Sequence, residues 1–143
     1  HEASAVSTAR VKYVFQRFGA RLAADIGQVN FAAECLMRHR NGVHLVLPGR
    51  KGAITAFFMP GEMTSRVMPV ASDRFEGHIV PTDWGSVAVV GEHGETLEGL
   101  GERLAAAVQW PVTPALAASE VPRRDLVLRV LARLDTATKQ QDG

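Results

Sequence analysis

Between Val29 and Glu92 the chain is a succession of short apolar runs, "VNFAAECLM", "GVHLVL", "AITAFFM", "RVMPV", "FEGHIV" and "SVAVVG", cut by Gly- and Pro-containing linkers. No other feature restricts the fold as strongly. The linkers "RHRNG", "PGRKG" and "PTDWG" are rich in turn formers and fall well short of the dozen or so residues a parallel crossover needs, so consecutive strands are expected to pair antiparallel as a meander. Three of the runs ("HLVL", "AITAFFM", "VAVV") are apolar at nearly every position. A strand of that kind is buried on both faces, so both faces of the sheet need cover.

Helical periodicity flanks the strands. In "SAVSTARVKYVFQRFGARLAADIG" Val11, Val14, Phe15, Phe18 and Leu22 recur at helical spacing, with Ser4 or Ser7 as N-cap candidates and Gly27 as a stop. Gly19 is an earlier stop, which would leave "ARLAADIG" as a turn or short strand. Beyond the strands, Leu97, Leu100, Leu104 and Val108 form a stripe that ends at Trp110-Pro111. A last helix follows over 119–139, with Ser119 as N-cap candidate and Leu126 or Val127, Val130, Leu131 and Leu134 on one face. Its charged positions, Arg123, Arg124, Asp125, Arg129, Arg133 and Asp135, read as a solvated face. The expected fold is α+β: an antiparallel meander sheet of about five or six strands with an N-terminal helix and two C-terminal helices. Residues 1–110 form the domain, 111–118 a Pro/Ala-rich linker and 119–139 the terminal amphipathic helix.

A chain of 143 residues is one domain's worth. A formal net charge of +1 gives no electrostatic footprint for nucleic acid, and none is expected as a partner. No stretch approaches the roughly 18–20 apolar residues of a membrane span, so the residues present read as a soluble domain. The chain opens at His1, and a processed product or an excised piece of a longer chain is expected, with any anchor or signal upstream.

The stretch 35–63 holds the single cysteine, two of the five histidines and three of the four methionines. Cys35 falls on a strand side with Phe31, Ala33 and Met37, where a free cysteine packs as a small hydrophobe. If Pro48 to Lys51 form a four-residue loop, Leu45 faces Ile54 and His44 faces Thr55; the two polar residues then share a face, and a one-residue slip would set His44 against Ala56. A functional thiol would need nearby positive charge, which Arg38, His39 or Arg40 could supply. Zinc lacks a recognised ligand spacing among Cys35, His39, His44 and His78. Copper(I) suits thiolate and thioether ligands better, and the candidate metal ligands are Cys35, His44, Met59 and Met63, with Met68 nearby.

Catalytic signatures are thin. Neither a G-x-S-x-G elbow nor a P-loop is present, and "GEHGETLEGLG" misses the G-x-G-x-x-G spacing. Its carboxylates Glu92, Glu95 and Glu98 would repel a phosphate and are expected in the first turn of a helix, complementing its dipole. A Cys35/His44 nucleophile pair lacks an evident orienting carboxylate. No enzymatic activity is expected, and no cofactor is identified.

The arrangement F-G…G-x-V-x-F-A over residues 18–32, Cys35, the "HLVL" strand with His44, the G-x-I-T strand at Gly52 to Thr55 and Met-Pro-Gly at 59–61 resemble the extracytoplasmic portion of a gammaproteobacterial family. Its members carry a short cytoplasmic N-terminal region and one membrane span, are encoded beside extracytoplasmic-function sigma factors and are described as anti-sigma factors. The resemblance covers residues 1 to 110. It implies a periplasmic domain anchored to the inner membrane by an upstream helix, a sensory or regulatory role, and contact with a sigma factor only through an upstream cytoplasmic region. In an oxidising compartment Cys35 must be buried, metal-bound or redox-active. Self-association is expected from the doubly apolar strands. The leading expectation is thus an extracytoplasmic sensory domain, and the alternative a copper(I) or thiol-redox binding domain centred on Cys35.

Overall fold

The computed structural model describes residues 4–37, 40–111 and 123–142. Its elements run α1 (Thr8–Gln16), β1 (Arg21–Leu22), β2 (Phe31–Met37), β3 (Arg40–Pro48), β4 (Ala53–Pro60), β5 (Met68–Ala71), β6 (Phe75–Pro81), β7 (Gly85–Glu92), α2 (Leu100–Ala107), β8 (Val108–Gln109) and α3 (Arg123–Asp142). The expected α+β architecture is found: an N-terminal helix, a six-stranded antiparallel sheet and two C-terminal helices.

Strand order in the sheet is β2-β3-β4-β7-β6-β5. Neighbouring strands are therefore sequential within each half, and the meander is broken between β4 and β5. Instead β4 pairs with β7, joining two three-stranded meanders at the centre. Composition explains the order. β4 and β7 are buried at almost every position and take the middle, whereas four-residue β5 contains Pro69, which has no N–H to donate and suits an edge.

The β3–β4 hairpin differs from the expected register by two residues. Leu47 pairs with Ile54, Leu45 with Ala56 and His44 with Phe57, around a loop at 49–52. A slip of two keeps every side chain on its face. The assignment of faces therefore holds, although the partner of His44 is apolar Phe57.

One face is covered by α1 and α2. Ser7 caps α1, its hydroxyl accepting the Arg10 N–H, and Gly19 at φ 74° ends the turn that follows, so the earlier of the two stops is used and "RL" becomes β1. That strand pairs with β8 and ties the start of the domain to the end of α2. Phe15 meets Phe58 edge-on at 4.8 Å between ring centroids, and Trp84 stacks on Trp110 at 4.6 Å. Around these rings pack Val43, Leu45, Val87, Val89 and Leu104.

The opposite face is covered by α3. Leu126, Val130 and Leu134 are buried on Phe57, Met59, Met68, Val70, Ile79, Ala88 and Val90. The helix touches both edge strands, β2 and β5. Six strands span about 24 Å from edge to edge, and a 20-residue helix is about 30 Å long. It is long enough to cross the whole sheet. The expected linker at 111–118 and the Ser119 cap fall almost wholly outside the described residues.

Candidate functional site

Glu95, the one buried carboxylate on the loop after β7, is structural. It accepts the N–H groups of Lys51 at 2.7 Å, Thr96 at 3.0 Å and Arg50 at 3.1 Å, clamping the β3–β4 turn. The Lys51 bond is the main reason its carboxyl is held below the usual range. This corrects the expectation that Glu92, Glu95 and Glu98 open a helix. Gly94 and Gly99 take left-handed backbone conformations, α2 begins only at Leu100, and the acid in its first turn is Glu102. Glu92 pairs instead with Arg74 at 3.3 Å.

The remaining concentration of buried polar chemistry lies between the sheet and α3. Cys35 and His44 point to this face from β2 and β3, 4% and 3% exposed. The register sets Cys35 opposite Gly42 and His44 opposite Ala33, so the two occupy successive rows on the same face. Gly42 has no room for a side chain: a Cβ there would stand 2.4 Å from the Phe58 carbonyl oxygen.

Into this region α3 brings two arginines. Arg133 and the Gly42 N–H both act on the Cys35 sulfur to favour its thiolate. Burial nevertheless dominates and pushes the thiol up to about 11, so it is protonated at neutral pH. Burial, reinforced by the Arg133 charge, lowers His44 to about 4. Its ring lies between Phe31 and Phe57, centroids 5.0 and 4.9 Å away. Arg129 donates to Glu62 Oε1 at 2.6 Å; Glu62 is 2% exposed and also has Arg40 Nε at 3.8 Å. His44 Nε2, Glu62 Oε2, Arg129 Nε and Arg133 Nε lack a hydrogen-bond partner among the described residues.

The reading of Arg129 and Arg133 as a solvated face is thereby corrected. Seven residues make almost two helical turns, so Arg133 falls within about 20° of Leu126 on the helix surface. It sits in the middle of the buried stripe. That spacing was available in the sequence; Glu62, in the loop "MPGEM", carried no comparable signal.

The four candidate metal ligands are only partly gathered. Cys35, His44 and Met59 share the face beneath α3, while Met63 is half-buried in the loop that follows β4. Met68 lies in the same row as His44 but on β5, four strands away, or about 19 Å. His78 pairs with Val89 in register with residues of the opposite face. Arg38 and His39 fall outside the described residues; the cation beside the thiol is Arg133. Among the described residues no three of His, Cys, Asp and Glu are grouped so as to hold a metal ion.

A family model described as "Protein of unknown function (DUF3379)" matches residues 1–108. The chain belongs to that family. Searches of curated proteins and of solved structures returned no match. The DUF3379 match takes in α1, the whole sheet and α2, and with them Cys35, His44 and Glu62. It ends before α3, so Arg129 and Arg133 come from outside the DUF3379 unit.

Glu62→Gln leaves Arg129 buried without its counter-ion and should cost about 3–5 kcal/mol in urea unfolding followed by tryptophan emission; a loss below about 1 kcal/mol would show that the pair is not part of the folded core. For His44 the folded-state value of about 4 lies below the ordinary 6.5, so between them the unfolded chain binds a proton that the folded chain does not. Stability contributed by neutral His44 is complete above pH 6.5 and falls as pH drops towards 4, by up to about 3 kcal/mol. The difference between wild type and His44→Leu should shrink by that amount over this interval. A pH-independent difference would remove His44 from the buried neutral state.

Proposed function

We infer that the chain is the extracytoplasmic sensory or regulatory domain of a membrane-anchored, anti-sigma-like protein, with no chemical step of its own. What carries the non-enzymatic part is the state of Cys35. A catalytic thiol needs a depressed pKa, some exposure and a base that takes its proton. Here the thiol is protonated and sealed, its polar neighbour is a guanidinium that cannot accept a proton, and His44 is packed between two phenylalanines.

The same burial suits an oxidising compartment, where an exposed lone thiol would form unwanted disulfides. Membership of DUF3379 is compatible with the resemblance from which the membrane anchor and the sigma-factor connection are drawn. Among the described residues no helix is long and apolar enough to cross a membrane; it is the family resemblance that implies an anchor upstream of the domain. The test is topological: alkaline phosphatase fused after this domain in the gene-encoded protein should be active, because that enzyme matures only outside the bacterial cytoplasm. An inactive fusion, with a cytoplasmic reporter active at the same position, overturns the assignment.

A second reading, a copper(I) or thiol-redox domain, is favoured by one observation: His44 Nε2 is unpartnered on the face that carries Cys35 and Met59. Against it stands Arg133, a fixed cation beside both Cys35 and His44, which disfavours a metal ion there. The reduced chain should therefore show no stoichiometric Cu(I) binding that disappears in Cys35→Ser. Tight one-to-one binding lost in that variant would reverse the order of the two readings.

A further inference from the structure

We propose that the sheet face beneath α3 is a helix-binding groove, and that a second copy of this chain fills it with its own α3 in a reciprocal exchange. The inference goes beyond the sensory reading and stands without it.

The first support is the division of the molecule. The groove is built wholly within residues 1–108, whereas its occupant lies outside that unit. The face is lined by Phe57, Met59, Met68 and Ile79 and holds the carboxylate of Glu62, so the DUF3379 unit by itself would present a broad apolar surface with an acid at its margin. Something helical must cover it.

The second support is chemical complementarity. The groove selects a helix with an apolar ridge at Leu126, Val130 and Leu134 and arginines at the third and seventh positions after the first of them, where Glu62 and the Cys35 sulfur receive them. Of the helices described, α3 carries that pattern. Any copy of the chain brings the same helix, and an isologous exchange closes with two-fold symmetry.

The third is the character of the contact. The layer of α1 and α2 is closed by interlocked aromatic rings, but the contact under α3 buries four polar atoms without partners among the described residues. Interfaces of this polar, incompletely satisfied kind open at lower cost than an apolar core. Residues 112–122 supply up to about 36–40 Å of chain, more than the width of the sheet. That length reaches a neighbour's groove as well as the chain's own.

The experiment complements two full-length variants. Val130→Asp spoils the helix and keeps the groove; Glu62→Arg spoils the groove and keeps the helix. Trp84 and Trp110, in the opposite layer, report whether the sheet is folded. Each variant alone should sediment as a monomer and their equimolar mixture as a one-to-one dimer, with Cys35 of the Val130→Asp chain labelled by an aromatic disulfide reagent at least tenfold more slowly in the mixture. A mixture that stays monomeric, or labelling unchanged by mixing, overturns the proposal. If either substitution unfolds the sheet, wild type decides. Its Cys35 should be labelled at denaturant concentrations below the tryptophan transition, and more slowly as protein concentration rises. Labelling that coincides with the tryptophan transition at every protein concentration makes α3 a fixed part of one core and overturns the exchange.

Discussion

Burial of both faces of the central strands is the constraint on which the rest of this molecule depends. β3, β4 and β7 are buried to both sides along most of their length, so the sheet is unstable in water until each face has a layer of its own. On one side the domain supplies α1, α2 and the β1/β8 ribbon; on the other it relies on a helix reached through a Pro/Ala-rich segment. The two layers differ in kind. The first is aromatic and sealed, and the second combines an apolar ridge with two arginines, a carboxylate, a thiol and an imidazole.

Much of the fold was legible because it rests on patterns that follow directly from geometry. Linker length dictated antiparallel pairing, strand alternation assigned faces, and Gly19 marked the real end of the first helical turn. Each failure has an equally definite cause. Linker length says that neighbours pair within a hairpin, but it does not say which strands meet at the centre; that followed from the greater burial of β4 and β7, and from Pro69 consigning β5 to an edge. Matching polar residues across a turn fixed parity and not register, because a displacement of two leaves every face unchanged. The carboxylates of "GEHGE" were assigned to a helix that two left-handed glycines delay until Leu100.

For the site, the sequence pointed to the right strands and the wrong partners. Cys35 and His44 do share a buried face, but among the described residues the positive charge beside the thiol comes from Arg133, almost a hundred residues away. Hydrophobic periodicity treats every arginine as outward-facing, although its long stem can cross an apolar surface and deliver charge beneath a helix. Glu62 is harder still: nothing local distinguishes it from an exposed loop acid, and its partner Arg129 lies 67 positions later.

Why place such groups there at all, when an apolar ridge alone would hold the helix? Replacing buried ion pairs by hydrophobic residues often leaves a protein as stable or more so, which makes a pair such as Arg129–Glu62 a poor device for stability. It is a better device for choosing the occupant and its register, since a helix without arginines at those two positions would leave Glu62 desolvated and unpaired. An arginine pair also makes the seat responsive. Burial under the helix, reinforced by the Arg133 charge, holds His44 neutral, and burial keeps the thiol beside Arg133 protonated, so the contacts that seat the helix also silence the chemistry beneath it. Removing α3 therefore exposes an apolar surface, an acidic anchor and a thiol together, and the state of one helix governs all three.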